Sequence, residues 1–409
     1  MRAWILENGL LDQVGHHFNN SIGLRDECAS RNIDARFVVN RNADPEVVQA
    51  LEAQPLFDYT PYDLASTDAL AGPIESLIIQ GNAFGQTFAS ALADVRADDM
   101  VLVPTALQNE LYGCALGLTR IPVERRPRLV LTFVMENFFA LGTRRLGPLA
   151  PLYRFAARQL ARVLPPERVL LGANSDEMAE NVAAVIAQPV ATFPIPKMYP
   201  PQSPSRGRDG DPVRVAILGH SRAEKGFLLV PALVLRCPEL NFIVQVSPAE
   251  AHTYWNEAAD DVRAAPNVEL VEGTLATSAY HALMSRADIV LLPYDAALFP
   301  FRSSGVFSEA VAAGKVTVAP TGTWMAGHQA AGRAAGVTFE AFDVNSIAAA
   351  LRQAVGRLSE LSERAQVCAP AWRAERSTGA YMDLVLGHFG LRAVGAIPAR
   401  SSDPAADRR

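Results

Sequence analysis

Cysteine is scarce in this chain. Cys28, Cys114, Cys237 and Cys368 lie far apart and form no CxxC pair. That excludes a disulfide framework or a zinc-finger spacing and predicts reduced thiols. Excess basic charge is missing too. Thirty-seven Lys and Arg stand against 43 Asp and Glu, a net charge of -6, which argues against a general nucleic-acid binder. No window approaches the roughly 18 uninterrupted apolar residues of a spanning helix. The opening MRAWILENGLLDQ has one Arg and then an acid, with no basic segment and long apolar stretch, so no secretory signal is expected. There is no GxGxxG for a dinucleotide and no HGGG-type oxyanion sequence. These absences predict a cytoplasmic protein, peripheral at most at an inner membrane face.

What is present can build cores. Hydrophobic residues make up 49% and charged residues 20% of 409 positions, a length that points to two domains. Ala3 to Leu6 reads as a strand, Gly9 to Gly15 as a glycine-bounded loop, His16 to Arg31 as a helix and Ala35 to Asn40 as a strand. This is a doubly wound opening. Strands follow at Met100–Pro104, Leu129–Val134 and Val169–Gly172. Residues 194–212 are dense in Pro, Ser and Gly and read as a linker. Its Asp209-Gly210-Asp211 is formally a DxD but has no strand to hold it, so no metal site is expected there.

A second alternating series starts at Val213, with helices expected over Ile347–Leu361 and Trp372–Phe389. The expected fold class is α/β, with two Rossmann-like doubly wound domains facing a cleft. The division is 1–193, linker 194–212, 213–361, C-terminal helices over 362–392 and a disordered tail over 393–409. Ligands of such folds bind outside the carboxyl ends of the strands.

Residues 286–320 are the densest stretch. Ile289–Leu292 is a buried strand, Ser303 and Ser304 can cap the next helix, and Gly314 stops it. Phe307, Ala310, Val311 and Gly314 form the packing stripe, and Glu309 lies off it, directed away from the core. The helix N-terminus around Ser303, Ser304 and Gly305 suits a phosphate; the plain alternative is an ordinary crossover with a surface Glu. Upstream, the strand Val213–Leu218 runs into GHSRAEKG, residues 219–226. Gly219-His220-Ser221-Arg222-Ala223 approximates a GxSxG nucleophile elbow, with Asp295 and His328 or His388 following in the order a serine hydrolase needs. Ala223 replaces its last Gly. Lys225 at a glycine-bounded helix start can instead hold a diphosphate, or be solvated.

The blocks LGHSRAEKG, VEGTLATSAYHALMSRADIVLLPY and FRSSGVFSEAVAAGK, in that order, resemble the retaining glycosyltransferases of family 4, which have the GT-B fold. The resemblance covers Val213 to Ala319. It implies a nucleotide diphosphate sugar as donor substrate and no further cofactor. It also implies roles. Lys225 would stabilise the leaving diphosphate, with His220 and Arg222 beside it. Ser303, Ser304 and Gly305 would hold the distal phosphate, Glu309 the ribose, and Glu272, Gly273 and the residues to Leu275 the base. The chain departs from the family where the first Glu of its EX7E motif should stand: Phe301 is there, followed by Arg302, which can reach a phosphate or an acidic sugar. That departure also leaves open a protein that binds nucleotide sugar without turning it over. A glycan, lipid-linked or protein acceptor and a role in polysaccharide or glycoconjugate synthesis come from the resemblance alone, as does a C-terminal helix that crosses back to the first domain.

In the first domain, Gly15-His16-His17 sits where the first loop enters its helix, and the family's loop there faces donor and acceptor. His16 or His17 could act on an acceptor hydroxyl or a phosphate, or both could be solvated. Glu136 and Asn137 follow a buried strand, and Glu136 could serve as a base. From Asn137 to Pro166 there are five Arg and no acid. Arg154, Arg158 and Arg162 make one stripe of a basic helix over 148–164, opposite Leu152, Phe155, Ala156, Leu160 and Val163. Such a helix can rest on anionic lipid or pack on the sheet with its Arg face solvated.

Overall fold

The computed structural model describes residues 1–391 except 14, 65–67, 69–70, 141–142, 144, 196, 198, 200, 204–211 and 247–252, and leaves aside the side chains of 253–255. Asp209-Gly210-Asp211 and the tail 393–409 lie outside the described residues.

The first half of the chain runs β1 (Arg2–Glu7), α1 (His16–Ser30), β2 (Asp34–Asn40), α2 (Pro45–Leu51), β3 (Gln54–Phe57), α3 (Gly72–Ala91), β4 (Met100–Ala106), α4 (Gln108–Thr119), β5 (Arg128–Phe133), α5 (Ala150–Val163), β6 (Val169–Ala173), α6 (Asp176–Ile186) and β7 (Ala191–Thr192). The second half runs β8 (Arg214–Ile217), α7 (Val230–Arg236), β9 (Asn241–Val246), α8 (Thr253–Ala264), β10 (Val268–Glu272), α9 (Thr277–Arg286), β11 (Ile289–Leu291), α10 (Gly305–Ala312), β12 (Val316–Pro320), α11 (Trp324–Ala330), β13 (Gly336–Phe339), α12 (Val344–Gly356), α13 (Leu358–Glu375) and α14 (Thr378–His388).

Two parallel sheets result. The first has the order β3-β2-β1-β4-β5-β6-β7 and the second β10-β9-β8-β11-β12-β13. Strand order reverses between β1 and β4 in one and between β8 and β11 in the other. Those reversals open the crevices where doubly wound sheets bind ligands.

Strand periodicity divides each core in two. In β1, Ala3 and Ile5 join Leu24 and Cys28 of α1 and Tyr381 and Val385 of α14. Trp4 and Leu6 face the other way, with Phe88 of α3, Leu111 of α4 and Tyr153 of α5. In β8, Val215 and Ile217 pack with α7, α8 and α12, and Ala216 and Leu218 with α9, α10 and α13. Strands buried on both faces read as continuous apolar runs, so β1, β4, β5, β8 and β11 were visible in sequence. β3 and β7 were not: β3 carries Pro55 and β7 is two residues long, and edge strands need no apolar run.

The C-terminal helices divide differently from the expectation. The helix expected over Ile347–Leu361 ends at Gly356, and the one over Trp372–Phe389 is the end of α13 plus α14. Ser377 separates the two, its Oγ accepting from Ala380 N at 3.1 Å as the N-cap of α14. α14 packs on α1, where Arg31 pairs with Asp383 at 2.6 Å.

The basic helix forms as α5, with a different buried face. Tyr153, Ala156, Ala157 and Leu160 are interior, while Phe155 is exposed and leans on Tyr112. Arg154 donates to the Val185 carbonyl of α6 at 2.9 Å. Protein already covers the apolar face that a lipid surface would need. No described helix is long and apolar enough to cross a membrane.

Candidate functional site in the interdomain cleft

A cavity of about 650 Å³ lies between the carboxyl ends of the two sheets. Basic side chains reach it from four directions: Arg222 and Lys225 after β8, Arg302 after β11, His16 and His17 at the start of α1, and Lys197 from the linker. Glu309 is the acid on its wall.

The second-domain wall is built from loops tied together by one side chain. Gln245 is the penultimate residue of β9; its Oε1 accepts from Gly219 N at 2.9 Å and its Nε2 donates to the Gly273 carbonyl at 3.2 Å. Ser221 Oγ donates to the Gln245 carbonyl at 3.1 Å. Lys225 then sits in a single 3-10 turn closed by Gly226 at φ 76°. A Cβ at Gly226 would collide with the Pro293 carbonyl, so only glycine lets this turn lie on the β11 loop. The turn leaves Lys225 Nζ 5.5 Å from the Tyr294 ring centre. Beside it, Ser304 caps α10, its Oγ accepting from Phe307 N at 3.2 Å. The first turn of α10 adds the partial positive charge of a helix N-terminus.

Glu309 is not directed away from the core as expected. Its Oε1 receives Lys197 Nζ at 2.7 Å, and the two side chains are 6% and 5% exposed. The linker crosses α10 and encloses the carboxylate, a long-range event that helix periodicity does not report. Lys197 Nζ would lie 2.8 Å from a Cβ on Gly305, so it occupies the first turn of α10. Burial and the Glu309 charge hold the Tyr280 phenol well above its usual range.

The first-domain wall begins at Gly15, whose φ of 80° turns the chain into α1. His17 Nδ1 lies 3.0 Å from Oε1 of Glu7, which ends β1 and is 1% exposed. Thr105 Oγ1 donates to the other Glu7 oxygen at 3.4 Å. The opposite ring nitrogen, Nε2, lies 3.4 Å from the Tyr62 hydroxyl. A carboxylate on Nδ1 fixes the tautomer and leaves Nε2 as an acceptor. His16 stacks on His17 with ring centres 4.0 Å apart. Dehydration by the cleft walls, then repulsion from His17, Lys197, His220 and Lys225, holds its imidazole neutral, well below the usual range. Burial, Lys225 and Arg222 lower His220 as well. Bonds cross the cleft: Thr277 Oγ1 donates to Asn19 Oδ1 at 2.7 Å and Ser175 Oγ to the Phe301 carbonyl at 3.0 Å.

Gly15, His16, His220, Arg222, Lys225, Arg302, Ser303, Ser304, Gly305 and Glu309 thus line one cavity. Three expected residues do not. Glu136 accepts from Asn181 Nδ2 at 2.7 Å, outside the lining. Glu272 pairs with Arg263 on the surface, and Gly273 donates its N–H to the Val246 carbonyl and accepts from Gln245 Nε2. Thr274 and Leu275 of the same segment do line the cleft. The serine-hydrolase arrangement is not assembled. Ser221 is buried on the Gln245 carbonyl, His328 lies among Trp324 and Trp372, and His388 is on α14. Sequence reasoning missed Glu7, Tyr62, Gln245 and Lys197. Glu7 and Gln245 left a signal, a polar residue at or next to the end of an apolar strand. Lys197, in a proline-rich linker, left none.

No protein-family model matches the chain, and no curated protein matches it in sequence. Solved structures match it in fold. HepE from Anabaena, in complex with UDP and glucose, has a TM-score of 0.64 at 15% identity over 95% of this chain and 99% of that one. Sucrose-phosphate synthase from Thermosynechococcus elongatus has 0.65 at 13%, over 95% and 99%. An α,α-trehalose-phosphate synthase from Burkholderia xenovorans, in complex with glucose-6-phosphate, has 0.62 at 12%, over 95% and 100%. Identities this low establish architecture, and the architecture is the GT-B fold of glycosyltransferases.

Proposed function

We propose that the protein is a glycosyltransferase that moves a sugar from a nucleoside diphosphate sugar to an acceptor hydroxyl. The observation that carries this reading is the meeting of Lys225, Arg222, Arg302 and the first turn of α10 at the switch point of the second sheet. Glycosyl transfer leaves negative charge on the departing diphosphate. Fixed cations and a helix N-terminus placed there lower the barrier more than they tighten ground-state binding. They supply positive charge in the role a divalent cation could otherwise fill.

In this reading Glu309 receives the ribose hydroxyls. Lys197, which now holds that carboxylate, turns to the distal phosphate at the α10 terminus. Thr274 and Leu275 contact the base. Uridine is the first base to test, because HepE was solved with UDP. Arg302 stands next to the position of the family's missing carboxylate and faces the transferred sugar. Retention follows from the resemblance. The bond from C1 to the phosphate oxygen breaks as the bond to the acceptor oxygen forms on the same face, and the acceptor proton passes to the leaving phosphate oxygen. No protein base is needed for that step. His17, oriented by Glu7, hydrogen-bonds sugar or acceptor hydroxyls. Polysaccharide or glycoconjugate synthesis is the setting we propose.

The test is calorimetric titration with UDP, GDP, ADP and TDP, together with release of nucleotide from the matching sugar donors. Wild type and Lys225→Ala are compared, with and without EDTA. Nucleotide binding together with turnover that Lys225→Ala lowers by about 10² to 10³ and EDTA spares is the expected result. Binding without turnover of any donor would leave a non-catalytic nucleotide-sugar binder. Binding of no nucleotide would remove the reading.

A further inference from the structure

A second cavity, of about 440 Å³, opens in the first domain beside the cleft. Tyr62 and Met135 line both spaces. The chamber is walled by the segment after β3, the starts of α3 and α4, and the segments after β5 and before α5. Its charge is opposite to that of the cleft. Lys, Arg and His crowd the cleft, whereas among the described residues lining the chamber the charged groups are Asp63 and Asp68.

The rest of the lining is amide and apolar. Gln108, Asn109 and Asn137 face Leu64, Leu107 and Leu149. The amides are held in place: Asn137 Oδ1 accepts from Tyr153 OH at 2.7 Å and Asn137 Nδ2 donates to Gln108 Oε1 at 3.4 Å. Asn109 is 3% exposed and donates to Gln80 Oε1, while its own Oδ1 has no partner among the described residues. A buried acceptor without a donor is unfavourable. Asn109 is itself part of the chamber wall.

We propose that this chamber binds the acceptor as an uncharged, hydroxyl-bearing sugar unit and rejects phosphorylated or otherwise anionic ones. The proposal rests on the glycosyl-transfer reading above. Sugar hydroxyls donate to carboxylate and amide oxygens, and the C–H face of the ring lies on Tyr62 and the leucines. A phosphate would meet Asp63 and Asp68, the charged groups among the described residues of the lining. The acceptor leaves the chamber past Tyr62, whose hydroxyl is 3.4 Å from His17 Nε2, and so reaches the cleft on the donor side.

The test uses the full chain saturated with UDP. Saturation-transfer NMR is run with glucose, mannose, N-acetylglucosamine and maltose, and with glucose-6-phosphate, mannose-6-phosphate and glucuronic acid. At least one neutral sugar should bind, and its anionic counterpart should bind about tenfold more weakly or worse. Asp63→Lys with Asp68→Lys should erase or reverse that ratio at unchanged UDP affinity. Asp68 also accepts from Ala71 N at 2.7 Å, so Asp63→Lys alone serves if the double variant unfolds. Preference for the anionic sugar, a ratio indifferent to these substitutions, or binding of no sugar overturns the proposal. The sugars are also titrated without UDP. A chain that selects neutral sugars but ignores every nucleotide would keep this selectivity and lose the transfer reading instead.

Discussion

The two walls of the cleft are made by different means. On the second domain, Gly219, Arg222 and Lys225 come from one loop, and Arg302, Ser304, Gly305 and Glu309 from another loop and the helix α10 that follows it directly. Each loop is continuous in sequence and is fixed by turns, caps and backbone N–H groups. On the first domain, Glu7, His17, Tyr62 and Thr105 come from four separate segments and meet only through packing. Phosphate is an ion, and local backbone geometry can cradle it. A sugar is recognised by hydroxyl geometry, which needs side chains converging from several elements. Local motifs therefore report most of the second-domain wall, whereas on the first-domain wall the sequence offered Gly15, His16 and His17 but neither Glu7 nor Tyr62.

Several substitutions break or sharpen that contrast. The largest effect should come where the second-domain wall depends on a buried charge from far upstream. Glu309→Leu leaves Lys197 buried without its partner and should cost about 3–5 kcal/mol in urea unfolding. Adding Lys197→Met should return most of that loss; if it does not, the pair is not what stabilises the linker crossing. Next is Lys225→Ala, which should lower kcat by about 10² to 10³, since it removes charge stabilisation of the leaving group. A loss confined to KM would place Lys225 in ground-state binding.

The two domains should also separate by pH. Burial, then Arg376 and Arg333, lower His328 from 6.5 to about 3. Its folded value lies below its unfolded value, so between about 6.5 and about 3 the unfolded chain binds more protons. The stability this group permits is full above the unfolded value and is lost as pH falls through that window, by about 2 kcal/mol after allowing for partial exposure. His328→Leu should flatten acid unfolding of the second domain, followed by the fluorescence of Trp324 and Trp372, and leave the first-domain residue Trp4 unaffected. The smallest effect should be Tyr62→Phe. Losing one hydroxyl should raise the acceptor KM roughly three- to tenfold, about 1 kcal/mol, with UDP affinity unchanged. A matching loss of UDP affinity would place Tyr62 on the donor side.

Legibility followed the same division. The apolar runs of β1, β4 and β11 announced parallel strands, and the Ser304 cap and the Lys225-Gly226 turn stood in plain sequence. The end of α13 and the start of α14 did not, because the break depends on one Ser377 hydrogen bond inside a continuous helical pattern. The Arg stripe of α5 was visible, yet which apolar residues it buries depended on α4 and α6 beside it. Glu136 follows a strand as a cleft residue should, and its direction was decided by Asn181 on a neighbouring helix.

By itself the sequence determined the alternation of strands and helices and the two loops of the second-domain wall, because each is governed by interactions within a few residues. Only the tertiary structure decided that Lys197 closes on Glu309, that Glu7 orients His17, and that an acidic chamber opens beside a basic cleft. Those arrangements join residues far apart in the chain, and their energies arise from burial and charge proximity, quantities that exist only once the sheets have packed.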